Sequence, residues 1–96
     1  MRPSEALAKH REEVLEIIAK YPVSNPRVFG SVARGEDIEG SDIDIVVDTN
    51  APLSYFDLAK FEMELCAAIG CKVDLGIFKA LKPDVAPSVI SDMRPL

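Results

Sequence analysis

The run Asp42-Ile43-Asp44-Ile45-Val46-Val47-Asp48 constrains this chain more than any other segment. Alternation of acids with β-branched residues marks a strand with one face in a core. Successive side chains on a strand point to opposite faces, so Ile43, Ile45 and Val47 share the packed side and Asp42 and Asp44 the other. Taken alone, such acids are the solvated face of a sheet. Two carboxylates this close repel each other unless a cation lies between them, and an all-oxygen site suits Mg²⁺ or Mn²⁺. Asp48 has the parity of Asp44, but at the strand end it reads as a turn or cap residue.

The flanking sequence supplies the rest of a small α/β (α+β) architecture. Residues 4–20 predict a helix with Ser4 as its cap and Leu7, Val14, Leu15, Ile17 and Ile18 as its apolar stripe. Tyr21-Pro22 ends it, because proline disfavours helical geometry in the preceding residue. Arg27-Val28-Phe29 reads as a short strand entering Gly30, and 30–41 as a polar loop with one helical turn. Asn50-Ala51-Pro52 breaks the alternating strand. Ser54 caps a second helix that runs to Ile69 on the stripe Leu58, Phe61, Leu65, Ala68 and Ile69, and Gly70 stops it. Residues 72–78 predict a third strand, and a short helix follows Lys82-Pro83 through Ile90. The expected fold is a short mixed sheet of three or more strands with helices packed on one face, in a single domain over residues 1–96.

Composition narrows the functional classes. Eleven bases against sixteen acids give a net charge of −5, which argues against direct nucleic-acid binding and suits a protein that holds cations or meets a basic partner. No apolar run approaches the roughly 20 residues of a membrane span, and Met1-Arg2-Pro3-Ser4-Glu5 does not open a signal peptide. Cys66 and Cys71 are too few for a disulfide scaffold and read as reduced, packed thiols, so a cytoplasmic protein is expected. His10 is expected on an exposed helix face with no catalytic role. Glu36, Asp37 and Glu39 are expected to be solvated, and Tyr55 and Phe56 to pack.

Two further features bear on the Asp42–Asp44 pair. Asp74 lies mid-strand between Val73 and Leu75, where an unpaired buried acid would be costly. If that strand lies beside the Asp42 strand in register, about 4.8 Å away, Asp74 completes a cluster of three acids. Gly30-Ser31 follows the first strand directly. Glycine there lets backbone approach a ligand, successive amides can cradle phosphate oxygens, and Arg34 offers an anion partner.

The spacing joins these features. Ten residues, 32–41, separate Gly30-Ser31 from Asp42-Ile43-Asp44. This G-S-x10-D-x-D pattern, with G-S-V-A-R-G, G-S-D-I-D-I and K-V-D-L in order, resembles the polymerase-beta-like nucleotidyltransferase superfamily. More narrowly, the chain resembles the minimal nucleotidyltransferases of MNT type, the antitoxin half of HEPN/MNT toxin–antitoxin pairs. The likeness is strongest over 27–78. It implies that Asp42, Asp44 and Asp74 hold two Mg²⁺ ions, with Mn²⁺ as a substitute, and that Asp74 also activates the acceptor hydroxyl. It implies that Gly30 and Ser31 hold the β and γ phosphates of ATP, with Arg34 and Ser41 around the same nucleotide pocket. The implied reaction moves AMP from ATP to a hydroxyl, a tyrosine of a HEPN ribonuclease toxin. With 18 residues after Phe78, the acceptor is expected on another chain or an oligomer mate. The other reading is a non-catalytic acidic antitoxin that neutralises its toxin by binding, with nucleotide binding only.

Overall fold

The alternating strand becomes an interior strand of a four-stranded mixed sheet. In a computed structural model that describes all 96 residues, the elements in chain order are α1 (Pro3–Lys9), α2 (Arg11–Ile18), β1 (Val23–Phe29), α3 (Gly30–Arg34), β2 (Ile43–Thr49), α4 (Tyr55–Ile69), β3 (Val73–Ile77), a 3-10 turn (Phe78–Ala80), α5 (Ala86–Asp92) and β4 (Arg94–Pro95). The strand order is β3-β2-β1-β4. β1 runs antiparallel to β2 and β4, while β3 runs parallel to β2. A parallel pair needs a crossover, and α4 provides it. No helix is long and apolar enough to cross a membrane.

Parity does what the sequence requires of it. Ile43, Ile45 and Val47 join Val28 and Val73 beneath Val14 and Ile18 of α2 and Phe61, Leu65 and Ile69 of α4, forming one core cluster. Tyr21 stacks on Phe61 with ring centroids 4.2 Å apart, and its hydroxyl donates to Glu64. Burial, reinforced by that carboxylate, pushes the phenol up to about 12. Ser54 caps α4 through a reciprocal pair with Asp57, and Gly70 ends it at φ +79.

Five expectations change. The first helix is two, because α1 is tied at its N-terminus to the loop before β2 while α2 packs on α4, and the chain bends between them at His10. His10 is consequently half-buried. Ser4 does not cap: the helix begins at Pro3, and the Ser4 amide itself donates to Asp37 Oδ2 at 2.8 Å. Asp37 is therefore buried, not solvated, whereas Glu36 and Glu39 remain exposed in ion pairs. Tyr55 and Phe56 do not pack, at 92% and 89% exposed, because α4 turns only its opposite face to the core. The free thiols Cys66 and Cys71 pack partly against the core.

β1 starts earlier than its sequence suggests. Pro26 lacks the amide an interior strand needs, and the pairing with β2 slips between Ser24 and Arg27 to accommodate it. Asn25, at φ +50, takes the strained position of this bulge. β3 is a sheet edge, yet two of its amides that point away from β2 are occupied: Leu75 N–H donates to Glu62 Oε2 and Val73 N–H to Cys66 Sγ.

The second face of the sheet is covered at one end only. The 3-10 turn packs on β2 and α5 on β1, so Val46 is fully buried despite sharing the parity of the acids. Under this cover Arg27, 7% exposed, pairs with Asp48 at 2.9 Å and lies 5.0 Å below the Phe78 ring. The guanidinium holds the Asp48 carboxyl below the usual range, with Asn25 assisting. Removing one partner of a buried pair costs about 3–5 kcal/mol, less where a partner keeps contact with water as Asp48 does. Asp48→Ala, which strands the buried cation, should therefore lose roughly 1–3 kcal/mol in urea unfolding at pH 7. Arg27→Met should lose less, and the loss from Asp48→Ala should shrink as pH falls below the aspartate range.

Candidate active site

Backbone pairing sets the acids in a row. Phe29 of β1 is the register partner of Asp44, and Asp44 is that of Asp74 on β3. The chain leaving β1 at Gly30 thus passes Asp44 on one side while Asp74 flanks it on the other. Gly30 has φ +71, and a Cβ there would lie 2.4 Å from Asp44 Oδ2. Only glycine satisfies both the left-handed backbone and the carboxylate against it. Asp42 lies just before β2 on the face of Asp44, with Lys72 Nζ 3.6 Å from its Oδ2. Asp74 is exposed.

The electrostatics follow. Asp44 is pushed up to about 6, first by partial burial, then by the charges of Asp74 and Asp42, while Arg34 opposes the shift. The gathered acids therefore oppose one another near neutral pH. All the donors are carboxylate oxygens, the set preferred by hard divalent cations, so a bound cation would relieve the repulsion. As they stand, no three His, Cys, Asp or Glu side chains are gathered closely enough to hold a metal ion. That is compatible with Mg²⁺, which commonly takes one or two carboxylates and completes its shell with water and substrate phosphates.

The remaining site residues surround this row. Ser31 is the second residue of α3, in the first turn whose amides have no partner inside the helix. Arg34 closes α3 and is held by Glu36 Oε1 at 2.6 Å and Asp92 Oδ2 at 2.5 Å. Ser41 Oγ accepts from the Ile38 amide at 3.0 Å, shaping the turn before Asp42. Lys72, Asp92 and Asp37 do not stand out in the sequence. Lys72 beside Asp42 follows from the β2–β3 register, whereas Asp92, 58 residues from Arg34, carries no local signal.

A family model described as nucleotidyltransferase domain matches residues 7–96. A Methanocaldococcus jannaschii protein named as a candidate protein adenylyltransferase is 39% identical over 90 residues, covering 93% of this chain and 89% of that protein. The protein adenylyltransferase MntA of Thermococcus cleftensis is 36% identical over 87 residues, covering 91% and 85%. Among solved structures, a candidate minimal nucleotidyltransferase superposes with a TM-score of 0.83 at 35% identity, covering 97% of this chain and 95% of that one. A chain in a toxin–antitoxin crystal structure with AMP-PNP shares the fold, with a TM-score of 0.78 at 20% identity over 88% of this chain and 69% of that one.

Two substitutions probe this geometry. Gly30→Ala should destabilise by at least the roughly 1–2 kcal/mol of a left-handed residue in urea unfolding, because its methyl also meets Asp44. Asp44 has its pKa raised on folding, so the native state binds the extra proton between the ordinary aspartate value and about 6, and stability falls as pH rises through that window. Asp44→Asn should therefore raise the melting temperature of the metal-free protein at pH 7.5. After discounting for solvent screening, about 1 kcal/mol corresponds to roughly 4–8 °C. The gain should shrink toward pH 4.

Proposed function

Because the chain belongs to the nucleotidyltransferase domain family, we propose that it transfers AMP from ATP to a hydroxyl of a partner protein, and that this modification silences a HEPN-type toxin in the cytoplasm. The acceptor is a tyrosine. The reading is supported by relatives named protein adenylyltransferases, and by a chain of like fold described as an MNT antitoxin in complex with a tri-AMPylated HEPN toxin from Shewanella oneidensis. The observation that carries it is the register of Asp44 with Asp74, beside Asp42 and against Gly30.

Asp42, Asp44 and Asp74 would hold two divalent ions, Mg²⁺ or Mn²⁺, which when bound polarise the acceptor oxygen and offset charge on the leaving pyrophosphate. The chain itself does the positioning. The Gly30–Ser31 amides and the Ser31 hydroxyl bind the β and γ phosphates, which leaves the α-phosphorus over the carboxylates. Arg34, released from Glu36 and Asp92, turns to the same phosphates. Ser41 keeps the turn before Asp42 closed, so the first acid stays beside the second. Asp74, the most open of the three, meets the incoming hydroxyl and takes its proton. The acceptor oxygen then bonds to the α-phosphorus, and the bond to the bridging oxygen of pyrophosphate breaks. No covalent enzyme intermediate is needed, and orientation with electrostatic stabilisation supplies the rate.

Intact-mass spectrometry of the toxin encoded beside this chain, after incubation with this protein, ATP and Mg²⁺, tests the reading. We expect mass steps of one AMP each, absent with EDTA and absent for the Asp42→Ala/Asp44→Ala variant. An unmodified toxin in a stable, inactive complex would instead mean neutralisation by binding alone.

A further inference from the structure

The α4 helix has two apolar faces. Phe61, Leu65 and Ile69 enter the core. On the opposite side Phe56, Ala59, Lys60, Met63 and Ala67, with Glu64 at the margin, line an open groove of about 420 Å³. Phe56 is 89% exposed and Met63 71%. Residues 56, 60, 63 and 67 follow a 4-3-4 spacing, the seam on which helices pack at shallow crossing angles. A continuous stripe of this kind differs from scattered apolar residues and marks an interaction surface.

We infer that this seam binds α4 of a second copy of the chain, antiparallel across a two-fold axis. The sequence of the face is complementary to its own reverse. An axis midway between positions 61 and 62 sets Phe56 against the partner's Ala67 and Lys60 against the partner's Met63, each twice. The largest residue of the stripe thus meets one of the smallest. The Lys60 stem covers the thioether while its ammonium approaches the partner's Glu64, a carboxylate already steadied by Lys20 and Tyr21. The charge of the seam is therefore matched across the axis although the chain as a whole is acidic.

The position of the catalytic face excludes the acceptor protein as the occupant. α4 covers the sheet face of Ile43, Ile45 and Val47, whereas Asp44 and Asp74 lie on the other. A substrate seated on α4 would have the whole sheet between it and the carboxylates. Pairing through α4 leaves both catalytic faces pointing outward and open. A 15-residue helix is about 22 Å long, and one such face offers less than the roughly 800 Å² per partner of a standard interface. The dimer is consequently weak and reversible.

Sedimentation equilibrium of the full chain over a wide concentration range tests this, with circular dichroism confirming that each variant is folded. Wild type should pass from monomer to dimer. Met63→Glu and Phe56→Ala should each raise the dissociation constant about tenfold or more, a change of 1.4 kcal/mol. Adding Ala67→Phe to Phe56→Ala should recover dimerisation, since the swap keeps large against small only in the antiparallel register. A wild type that stays monomeric throughout, or a dimer indifferent to Met63→Glu, would overturn the inference. So would a variant that keeps its oligomeric state but no longer binds the toxin, because the seam would then belong to a different partner. Loss of AMP transfer plays no part in this readout, so failure here is separable from failure of the catalytic reading.

Discussion

Three carboxylates that repel one another stay side by side because the reverse face of their strands is buried. Ile43, Ile45, Val47 and Val73 are all fully removed from water. Each such side chain contributes about 1.5–3 kcal/mol on burial, which outweighs the few kcal/mol that the gathered charges can cost. A slip of one residue would separate the acids, but it would also turn the whole apolar set outward, so the register is strongly determined. The core thus stores a charge conflict at the surface, which a bound cation would relieve.

The same strand shows how local cover decides the fate of an acid. Asp44 and Asp48 have equal parity on β2, yet their proton affinities move in opposite directions. Asp48 lies beside the Arg27 guanidinium, which Phe78 covers, and is held as a carboxylate. Asp44 lies at the uncovered end among other acids and is pushed toward protonation. One end of this face is a finished ion pair that fastens the turn to the sheet. The other end is left unneutralised, where chemistry can use it.

Much of this was readable before any coordinates. Alternation gave β2 its faces, Ser54 and Gly70 bounded α4 through known cap chemistry, and the ten-residue interval from Gly30-Ser31 pointed to the acids. Asp74 needed one thing that sequence does not carry, the β2–β3 register. Two of the misses share a cause, since they depend on contacts between residues far apart in the chain. Asp37 reads as a solvated loop acid and is the partner of Ser4, 33 residues away. Arg34 is engaged by Asp92. β4 is a two-residue strand too short for any periodicity, and Pro26 concealed the first half of β1. Tyr55 and Phe56 looked like core residues because hydrophobicity alone does not say which side of a helix a fold will use.

The two side-chain plugs on β3 have a consequence for how the molecule behaves in a crowd. Unsatisfied amides along an outer strand are an invitation to foreign strands, and a hydrophobic edge with vacant donors seeds fibres. Glu62 and Cys66 occupy those donors from the adjacent helix, so the border bearing Asp74 resists templated growth at that stretch. Losing either plug would expose the chain to ribbon-like stacking, in which the incoming strand would crowd the approach to the third acid. Protection of this edge and an open approach to Asp74 are therefore maintained by the same pair of side chains.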